Sequence, residues 1–258
     1  MKLFGSFNKI VLVVEYDGSH YHGFQWQAGL PTIQAEMEGA ICKVTGERRR
    51  VMAASRTDSG VHAKGQVASF QSESALSPQT FVRALNHYLP EDIAVKGACR
   101  VCADFNVRRD AASREYDYFI LNTPTRSPLA KGFAYFVANE LNIEVMNAAC
   151  QLIEGQHDFA SFATSLGKLR STVRDVYEAK VTKEQDLVTV HVVANSFLPH
   201  QVRNTVGLLI RLGLGKSGLE ELRQIMEAKM PGLAGPTAPA HGLCLTRVNY
   251  AGNLELAV

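Results

Sequence analysis

The chain has 258 residues, 46% of them hydrophobic and 20% charged, which is typical of a globular protein with one large domain or two small ones. Its formal net charge of +2 does not by itself indicate a nucleic-acid partner, and an odd number of cysteines, five, argues against a disulfide framework. No apolar run approaches the roughly 20 residues of a membrane-spanning helix, and the first six residues lack the apolar segment of a signal peptide. We therefore expect a cytoplasmic protein.

The first half of the chain predicts the element order β-α-β-β-α-β. Apolar runs predict its four strands, at residues 10–16, 51–54, 66–70 and 93–101. Thr32 is placed to cap the first helix, after which apolar residues recur at helical spacing. Ser77 caps the second helix, and Pro78 lies in its first turn.

The second half predicts the same order with one extra helix. Its strands are expected at residues 116–121, 172–181, 187–194 and 243–250. One predicted helix ends at Gly155, and the next, at residues 199–212, begins with Pro199. The extra helix, at residues 218–228, is preceded by the capping-box pattern Ser217-x-x-Glu220.

The repeated order is that of the ferredoxin-like split β-α-β fold. We predict an α+β protein of two such subdomains, residues 8–105 and 106–252, with mainly antiparallel mixed sheets. Two such units side by side can leave a cleft between them, which is where we expect the functional site.

The loop between the second and third predicted strands carries the most informative motif. Residues 55–63 read Ser-Arg-Thr-Asp-Ser-Gly-Val-His-Ala, and Gly60 gives the backbone freedom to turn. A loop held by a rigid sheet can present a reactive carboxylate, here that of Asp58. An isolated turn of this kind is more often an Asx-turn that only caps a loop.

This motif resembles the catalytic loop of the tRNA pseudouridine synthase A family, whose usual form is GRTDAGVHA followed by GQV. Further family motifs occur in the family's order between Glu15 and about Tyr250, a span that covers nearly the whole chain. They are residues 15–18 (EYDG), 21–25 (YHGFQ), Asn86, 89–95 (LPEDIAV), 114–118 (REYDY), 157–159 (HDF), 202–204 (VRN) and 242–243 (GL). Several ordered, widely spaced motifs are far more specific than any one of them.

The resemblance implies a fold, a reaction and partners. The fold is that of the pseudouridine synthases, two α/β subdomains with the active site in the groove between them. The reaction isomerises uridine to pseudouridine in the anticodon stem-loop of tRNA, at positions 38, 39 and 40. It needs no redox or group-transfer cofactor, so we expect neither cofactor nor metal. The partners are tRNA and a second copy of the chain in a homodimer, with no membrane involved.

The resemblance also assigns the catalytic residues. Asp58 matches the nucleophilic aspartate, which attacks C1′ of the ribose or C6 of the uracil; the sequence does not choose between them. Arg203 matches the arginine that pairs with this aspartate and lowers its pKa. Tyr116 matches the tyrosine that stacks on the target base and is a candidate for handling the C5 proton. Tyr116 and Tyr118 share one strand face, and we assign Tyr118 to the core.

Three further residues are expected to bind substrate. Arg56 is placed to contact phosphate and to help turn the uridine out of its stack. His62 has a role in loop structure or in RNA contact, and Arg114 belongs to a basic cluster within the REYDY motif. Ser55 and Ser59 depart from the family's Gly and Ala, and Pro199 and Gln201 are also unusual. These departures affect substrate preference more than chemistry.

Three clusters of basic residues would track phosphates if the fold brings them to one side, although each alone is more typical of a solvated face. They are Arg48, Arg49 and Arg50; Arg108 and Arg109 with Arg114; and Lys168, Arg170 and Arg174.

Two other classes of protein compete with this hypothesis. One is a non-catalytic RNA-binding paralogue, against which the retention of all three catalytic residues argues. The other is a zinc or redox protein built on Cys99 and Cys102, which form a C-x-x-C. No second cysteine pair supplies the remaining ligands, so we interpret these two cysteines as structural.

Overall fold

The computed structural model describes residues 9–167 and 170–252, which form two compact units. The first unit runs to Ala112 and resumes at Leu245, and the second is Ser113–Cys244. The predicted division, after residue 105 and with the whole C-terminal part in the second subdomain, differs from this one. The first six residues and Lys168, on which expectations about localisation and charge were based, lie outside the described residues.

The first unit has the predicted β-α-β-β-α-β order, which is confirmed. Its elements are β1 (Lys9–Tyr16), α1 (Ile33–Thr45), β2 (Met52–Ala53), β3 (His62–Gln71), α2 (Pro78–Tyr88) and β4 (Ile93–Val101). The last strand of the chain, β10 (Leu243–Tyr250), lies beside β3 and is in this unit from Leu245 onward. This contact is the reason that the C-terminal residues return to the first unit.

The strand order in the first unit is that of a ferredoxin-like sheet. β1 pairs antiparallel with β4 on one side and with β3 on the other, and β3 also pairs antiparallel with β2. β3 therefore lies between the two strands that α1 connects, which defines the split β-α-β motif.

The two helices of the first unit bury apolar residues where the sequence places them. Ile33, Met37 and Ile41 are buried from α1, as are Phe81 and Leu85 from α2. Both predicted caps are confirmed. Thr32 Oγ1 accepts a hydrogen bond from the Ala35 amide at 3.3 Å, and Ser77 Oγ accepts one from the Thr80 amide at 3.2 Å.

The second unit contains every predicted element of the second half except the closing strand, β10, most of which is in the first unit. Its elements are β5 (Ala111–Leu121), β6 (Tyr135–Phe136), α3 (Ile143–Ile153), β7 (Gly155–Asp158), β8 (Val173–Glu184), β9 (Leu187–Ala194), α4 (Gln201–Gly213) and α5 (Leu219–Ala228). The strands β5, β9, β8 and β7 are neighbours in that order and pair antiparallel. The two-residue strand β6 is parallel to its partner, β5. The longer strands named above pair antiparallel, so the predicted mainly antiparallel character is confirmed.

Two predicted helix starts are wrong. The N-cap of α5 is Gly218, which makes no side-chain cap, and Ser217 Oγ is buried without a hydrogen-bond partner in the described part of the chain. The capping box therefore does not form. Helix α4 begins at Gln201 rather than Pro199, because His200 has a φ of 62° and interrupts the helix.

The helices of the described residues are short. The longest, α1 and α4, have 13 residues each, and none of the helices in residues 9–167 and 170–252 is long and apolar enough to cross a membrane.

Gly39 in α1 and Gly207 in α4 are two helical glycines with opposite surroundings. A Cβ at Gly39 would meet nothing within 4 Å, whereas one at Gly207 would clash with the carbonyl oxygen of Pro236. We expect Gly39→Ala to raise the free energy of unfolding by about 0.5–1 kcal/mol, because alanine restricts the unfolded chain. Gly207→Ala should lower it by about 1–3 kcal/mol through overpacking. Urea unfolding measures both, and effects of the same sign would contradict this packing.

His191 and Asp117 are opposite each other on β9 and β5, with His191 Nδ1 2.6 Å from Asp117 Oδ1. The hydrogen bond to Asp117 is the main cause that raises the pKa of His191 above its ordinary 6.5, and the charge of Glu178 adds to it. The stabilisation by the pair is therefore fully present at pH values below the pKa that His191 has in the unfolded chain. This contribution is lost as pH rises through the folded-state pKa.

We expect the free energy of unfolding to fall as pH rises above about 6.5, the ordinary pKa of histidine, in the wild type, and to fall less in Asp117→Asn. Urea titrations at a series of pH values measure the difference. Identical pH profiles would show that the pair does not couple protonation to folding.

Candidate active site

The loop that carries Asp58 connects β2 to β3. Thr57 is buried, Asp58 is half-buried, and Arg56 and Ser59 on either side of this pair are exposed. The loop thus leaves Asp58 accessible and holds Thr57 beneath it.

Side chains from two strands fix the start of the loop. The fully buried amide of Gln66 accepts a hydrogen bond from the Ser55 amide at 3.2 Å and donates one to the Ser55 carbonyl at 2.7 Å. Tyr16 on β1 shares a buried 2.8 Å hydrogen bond between its hydroxyl and Thr57 Oγ1. The residues on both sides of Arg56 are therefore held in place.

A second loop, residues 17–32 between β1 and α1, supports Asp58 through the backbone, and we call it the supporting loop. The Phe24 amide donates to the Thr57 carbonyl at 3.1 Å, and the Gly60 amide donates to the Tyr21 carbonyl at 3.2 Å. A Cβ at Gly23, whose φ is +85°, would lie 2.6 Å from the Thr57 oxygen. Only glycine fits this approach without displacing the loop.

The supporting loop is itself attached to Asp92, the residue that precedes β4. Tyr21 donates from its hydroxyl to Asp92 Oδ1 at 2.6 Å, and the Asp17 amide donates to the Asp92 carbonyl at 2.9 Å. Burial and the hydrogen bond to Asp92 raise the pKa of Tyr21. The motifs YHGFQ and LPEDIAV therefore have a structural explanation, because both position the loop that bears Asp58.

Sequence reasoning did not assign these supporting roles. Gln66, Tyr16 and Tyr21 were noted only as parts of motifs or strands. A buried polar residue within an apolar strand, such as Gln66 in β3, is the signal that could have identified one of them, since such a group requires hydrogen-bond partners.

The two serine departures fit the loop. Ser55 has no positive φ, since the non-glycine residues with positive φ in the described chain are Gln185, His200 and Lys229. Ser59 Oγ donates to the Tyr21 carbonyl at 3.2 Å, so this hydroxyl adds a bond to the supporting loop.

Two arginines of the first unit lie close to each other. Burial and the charge of Arg56 both lower the pKa of Arg108. Two neighbouring cations repel each other, so their combined positive charge favours a polyanionic ligand. The adjacent Arg109 forms a 2.6 Å ion pair with Asp110.

In the second unit, Tyr116 is on β5 with 5% of its surface exposed. Its ring meets the ring of Phe197 edge to face, with the centroids 5.2 Å apart and the planes at 89°. Tyr118 on the same strand is fully buried and donates to the Pro239 carbonyl at 2.8 Å. The prediction that Tyr118 belongs to the core is confirmed.

Arg203 lies in the first turn of α4 and is half-buried. Its Nε donates to the Ala238 carbonyl at 2.8 Å, and the Ala238 amide donates back to the Arg203 carbonyl at 3.1 Å. A cation in the first turn of a helix opposes the helix dipole at a cost of about 0.3–1 kcal/mol. Helix stability therefore does not explain an arginine here, whereas a nearby anion would.

The two other predicted substrate-binding residues are nearly buried, with 6% of the surface of His62 and of Arg114 exposed. His62 Nδ1 accepts the Gly18 amide at 3.1 Å, and Arg114 donates to the Asn195 carbonyl at 2.7 Å. Both residues therefore have structural roles within their own units.

The C-x-x-C pair is divided between two environments. Cys99 is buried in β4, where burial raises the pKa of its thiol, and Cys102 is exposed. In residues 9–167 and 170–252, no three or more His, Cys, Asp or Glu residues are grouped to hold a metal ion.

The structure is that of an α+β protein in which a loop between two strands presents the carboxylate of an aspartate. The family model described as tRNA pseudouridine synthase matches residues 12–109 and 149–251. The chain belongs to the tRNA pseudouridine synthase family, and is thereby an isomerase with the pseudouridine synthase fold.

Relatives named tRNA pseudouridine synthase A are similar over nearly the whole chain. The protein of Chloroflexus aurantiacus is 41% identical over 95% of this chain and 90% of its own. That of Thermoanaerobacter sp. strain X514 is 40% identical over 93% and 99%, and that of Buchnera aphidicola is 41% identical over 94% and 92%.

Gln66→Leu tests the anchoring of the Asp58 loop, and Asn86→Leu is its matched control. Asn86 makes the same two-bond contact with a backbone residue, accepting from the Val95 amide at 2.7 Å and donating to the Val95 carbonyl at 2.9 Å. Each substitution removes two partly buried hydrogen bonds to the backbone and should lower the free energy of unfolding by about 1–3 kcal/mol.

Turnover, measured where both variants are folded, should fall by about tenfold or more only in Gln66→Leu, because displacement of a group that acts on the substrate costs rate. Equal turnover in the two variants would show that Gln66 does not position the Asp58 loop.

Proposed function

We propose that the chain isomerises uridine to pseudouridine in the anticodon stem-loop of tRNA, at positions 38, 39 and 40, with Asp58 as the nucleophile. The observation that carries this proposal is the anchoring of the Asp58 loop at Ser55, Thr57 and Gly60. A loop that only connected two strands would not require so many fixed points. Family membership supports tRNA as the substrate.

The reaction is balanced without any co-reactant. The C1′–N1 bond of uridine breaks, a C1′–C5 bond forms, C5 loses a proton and N1 gains one. Asp58 attacks C1′ or C6 as a carboxylate, and both routes lead to the same overall exchange.

We assign Arg203 as the ion partner that keeps Asp58 ionised, and Tyr116 as the ring on which the uracil stacks while the C5 proton is removed. The position of Arg203 in the first turn of α4 supports this role, since that cation is unfavourable for the helix itself. The edge-to-face contact with Phe197 supports the role of Tyr116, because it fixes the orientation of the ring.

Arg56 contacts the phosphates around the target and helps to turn the uridine out of its stack, for which its exposure and the nearby charge of Arg108 are the support. His62 and Arg114 are the remaining proposed substrate-binding residues. Each contacts the RNA through the small part of its surface that is exposed. We propose further that the protein works as a cytoplasmic homodimer.

Asp58→Asn tests the nucleophile. We expect release of tritium from tRNA labelled at uracil C5 to fall on the order of 10³-fold or more, because an amide cannot replace the carboxylate in covalent catalysis. Binding of tRNA should change little, since the side chain keeps its size. Asp104→Asn, at an exposed aspartate of the same unit, is the control and should retain full activity.

Tritium release at the native rate by Asp58→Asn would overturn the assignment. Tight tRNA binding without tritium release by the wild type would instead identify a non-catalytic RNA-binding protein.

A further inference from the structure

An exposed aromatic ring and an arginine lie together in the first unit. Trp26, the one tryptophan of the chain, is 45% exposed, and the guanidinium carbon of Arg50 lies 5.4 Å from the centre of its ring. We call this pair the Trp26–Arg50 platform. The cation–π contact alone contributes only about 0.5–1 kcal/mol at an exposed site, so its meaning depends on how the pair is held and where it lies.

Helix α1 holds both members of the platform. Gln34 Oε1 accepts the Trp26 amide at 2.9 Å, and Glu38 Oε2 accepts from an Arg50 guanidinium nitrogen at 3.2 Å. Gln34 Nε2 also donates to Glu38 Oε1 at 2.6 Å, one helical turn further along. One face of a helix thus fixes the backbone of Trp26 and the charge of Arg50, and such preorganisation lowers the entropy lost on binding a ligand.

The platform lies near Asp58. Trp26 follows Gly23 by three residues, which span at most about 11 Å. A Cβ at Gly23 would lie 2.6 Å from the Thr57 oxygen and 3.1 Å from the Asp58 carbonyl carbon. The Cα of Trp26 is therefore within roughly 15 Å of the Asp58 backbone, a distance that a few nucleotides cover.

Acidic partners offset the charge around the platform. Arg50 pairs with Glu38, while Arg49 lies 3.0 Å from Glu47 and 3.7 Å from Glu73. A locally neutral surface attracts phosphates only weakly. The part of the platform that is left to bind RNA is therefore the exposed ring of Trp26. Aromatic rings bind unpaired nucleobases by stacking, at about 1–3 kcal/mol per base.

We propose that the Trp26–Arg50 platform stacks an unpaired nucleobase of the tRNA that lies a few nucleotides from the target uridine. This inference rests on the proposed function, since a uridine at Asp58 is what brings RNA to this face. It adds a substrate-binding element that uses stacking rather than ion pairing.

The single tryptophan gives a direct test of contact. We expect the emission of Trp26 to be quenched on titration with an unmodified tRNA transcript, with the same midpoint as filter binding. A fully paired RNA duplex should leave the emission unchanged, because it offers no unpaired base. Unchanged emission with tRNA bound would overturn the proposal.

Trp26→Ala tests the energy of contact, and Tyr88→Ala is the matched control. Tyr88 is 44% exposed and has Lys43 Nζ 5.6 Å from the centre of its ring, so it is a second exposed aromatic–cation pair in the same unit. We expect Trp26→Ala to raise the KM for tRNA about 5- to 100-fold with kcat nearly unchanged. Trp26→Phe should restore most of the loss, and Tyr88→Ala should not alter KM.

The salt dependence adds a further readout. The slope of log KM against log salt should be the same in Trp26→Ala and in the wild type, because no phosphate contact is removed. A fall in kcat instead of a rise in KM would mean that Trp26 only positions the Asp58 loop, and the platform would be refuted as a binding element.

The two proposals fail differently. If the wild type releases no tritium from tRNA, the proposed function is wrong. If it does so while Trp26→Ala keeps the wild-type KM, only the platform is wrong.

Discussion

The candidate site of the first unit depends on a contact between two backbones. The supporting loop meets the Asp58 loop through Gly18 and Gly23, at which an added Cβ would clash with Val61 O or lie 2.6 Å from Thr57 O. Because no side chain separates the two loops, backbone groups of one loop can bond those of the other. Backbone hydrogen bonds position a carboxylate more rigidly than side-chain contacts do, since they involve no rotamers.

The fixed points of the loop come from distant parts of the sequence. Tyr16 of β1, Gln66 of β3 and Asp92 before β4 all contribute, directly or through Tyr21. The β4-β1-β3 order brings these positions together, because β1 lies between the other two strands. The sheet of the first unit is in this sense the support of the loop, and the motifs spread along its sequence belong to one structure.

The regular elements were predictable where local signals are strong. Strand β4 and the helix caps Thr32 and Ser77 were predicted correctly. An apolar run determines the strand, and a capping residue before a helical apolar pattern determines each helix start. The short strands β6 and β7 were not predicted, since two or four residues carry no periodic signal. The capping box at Ser217 failed because the pattern requires the serine to adopt the cap position, which Gly218 takes instead. For the site, family motifs predicted Asp58, Tyr116 and Arg203, whereas the partners of Gln66 depend on contacts that no local pattern encodes.

The sequence by itself determined the family and the β-α-β-β-α-β order of each half, and it predicted the residues that are proposed to carry the chemistry. These features are local, because each motif or periodic run is contained within a few adjacent residues. Only the tertiary structure decided that β10 joins the first unit beside β3 and that Gln66 holds Ser55. It also decided that α1 holds Trp26 and Arg50 together. Such contacts join residues far apart in the chain, and hydrogen-bond geometry in the folded state, rather than local propensity, selects them.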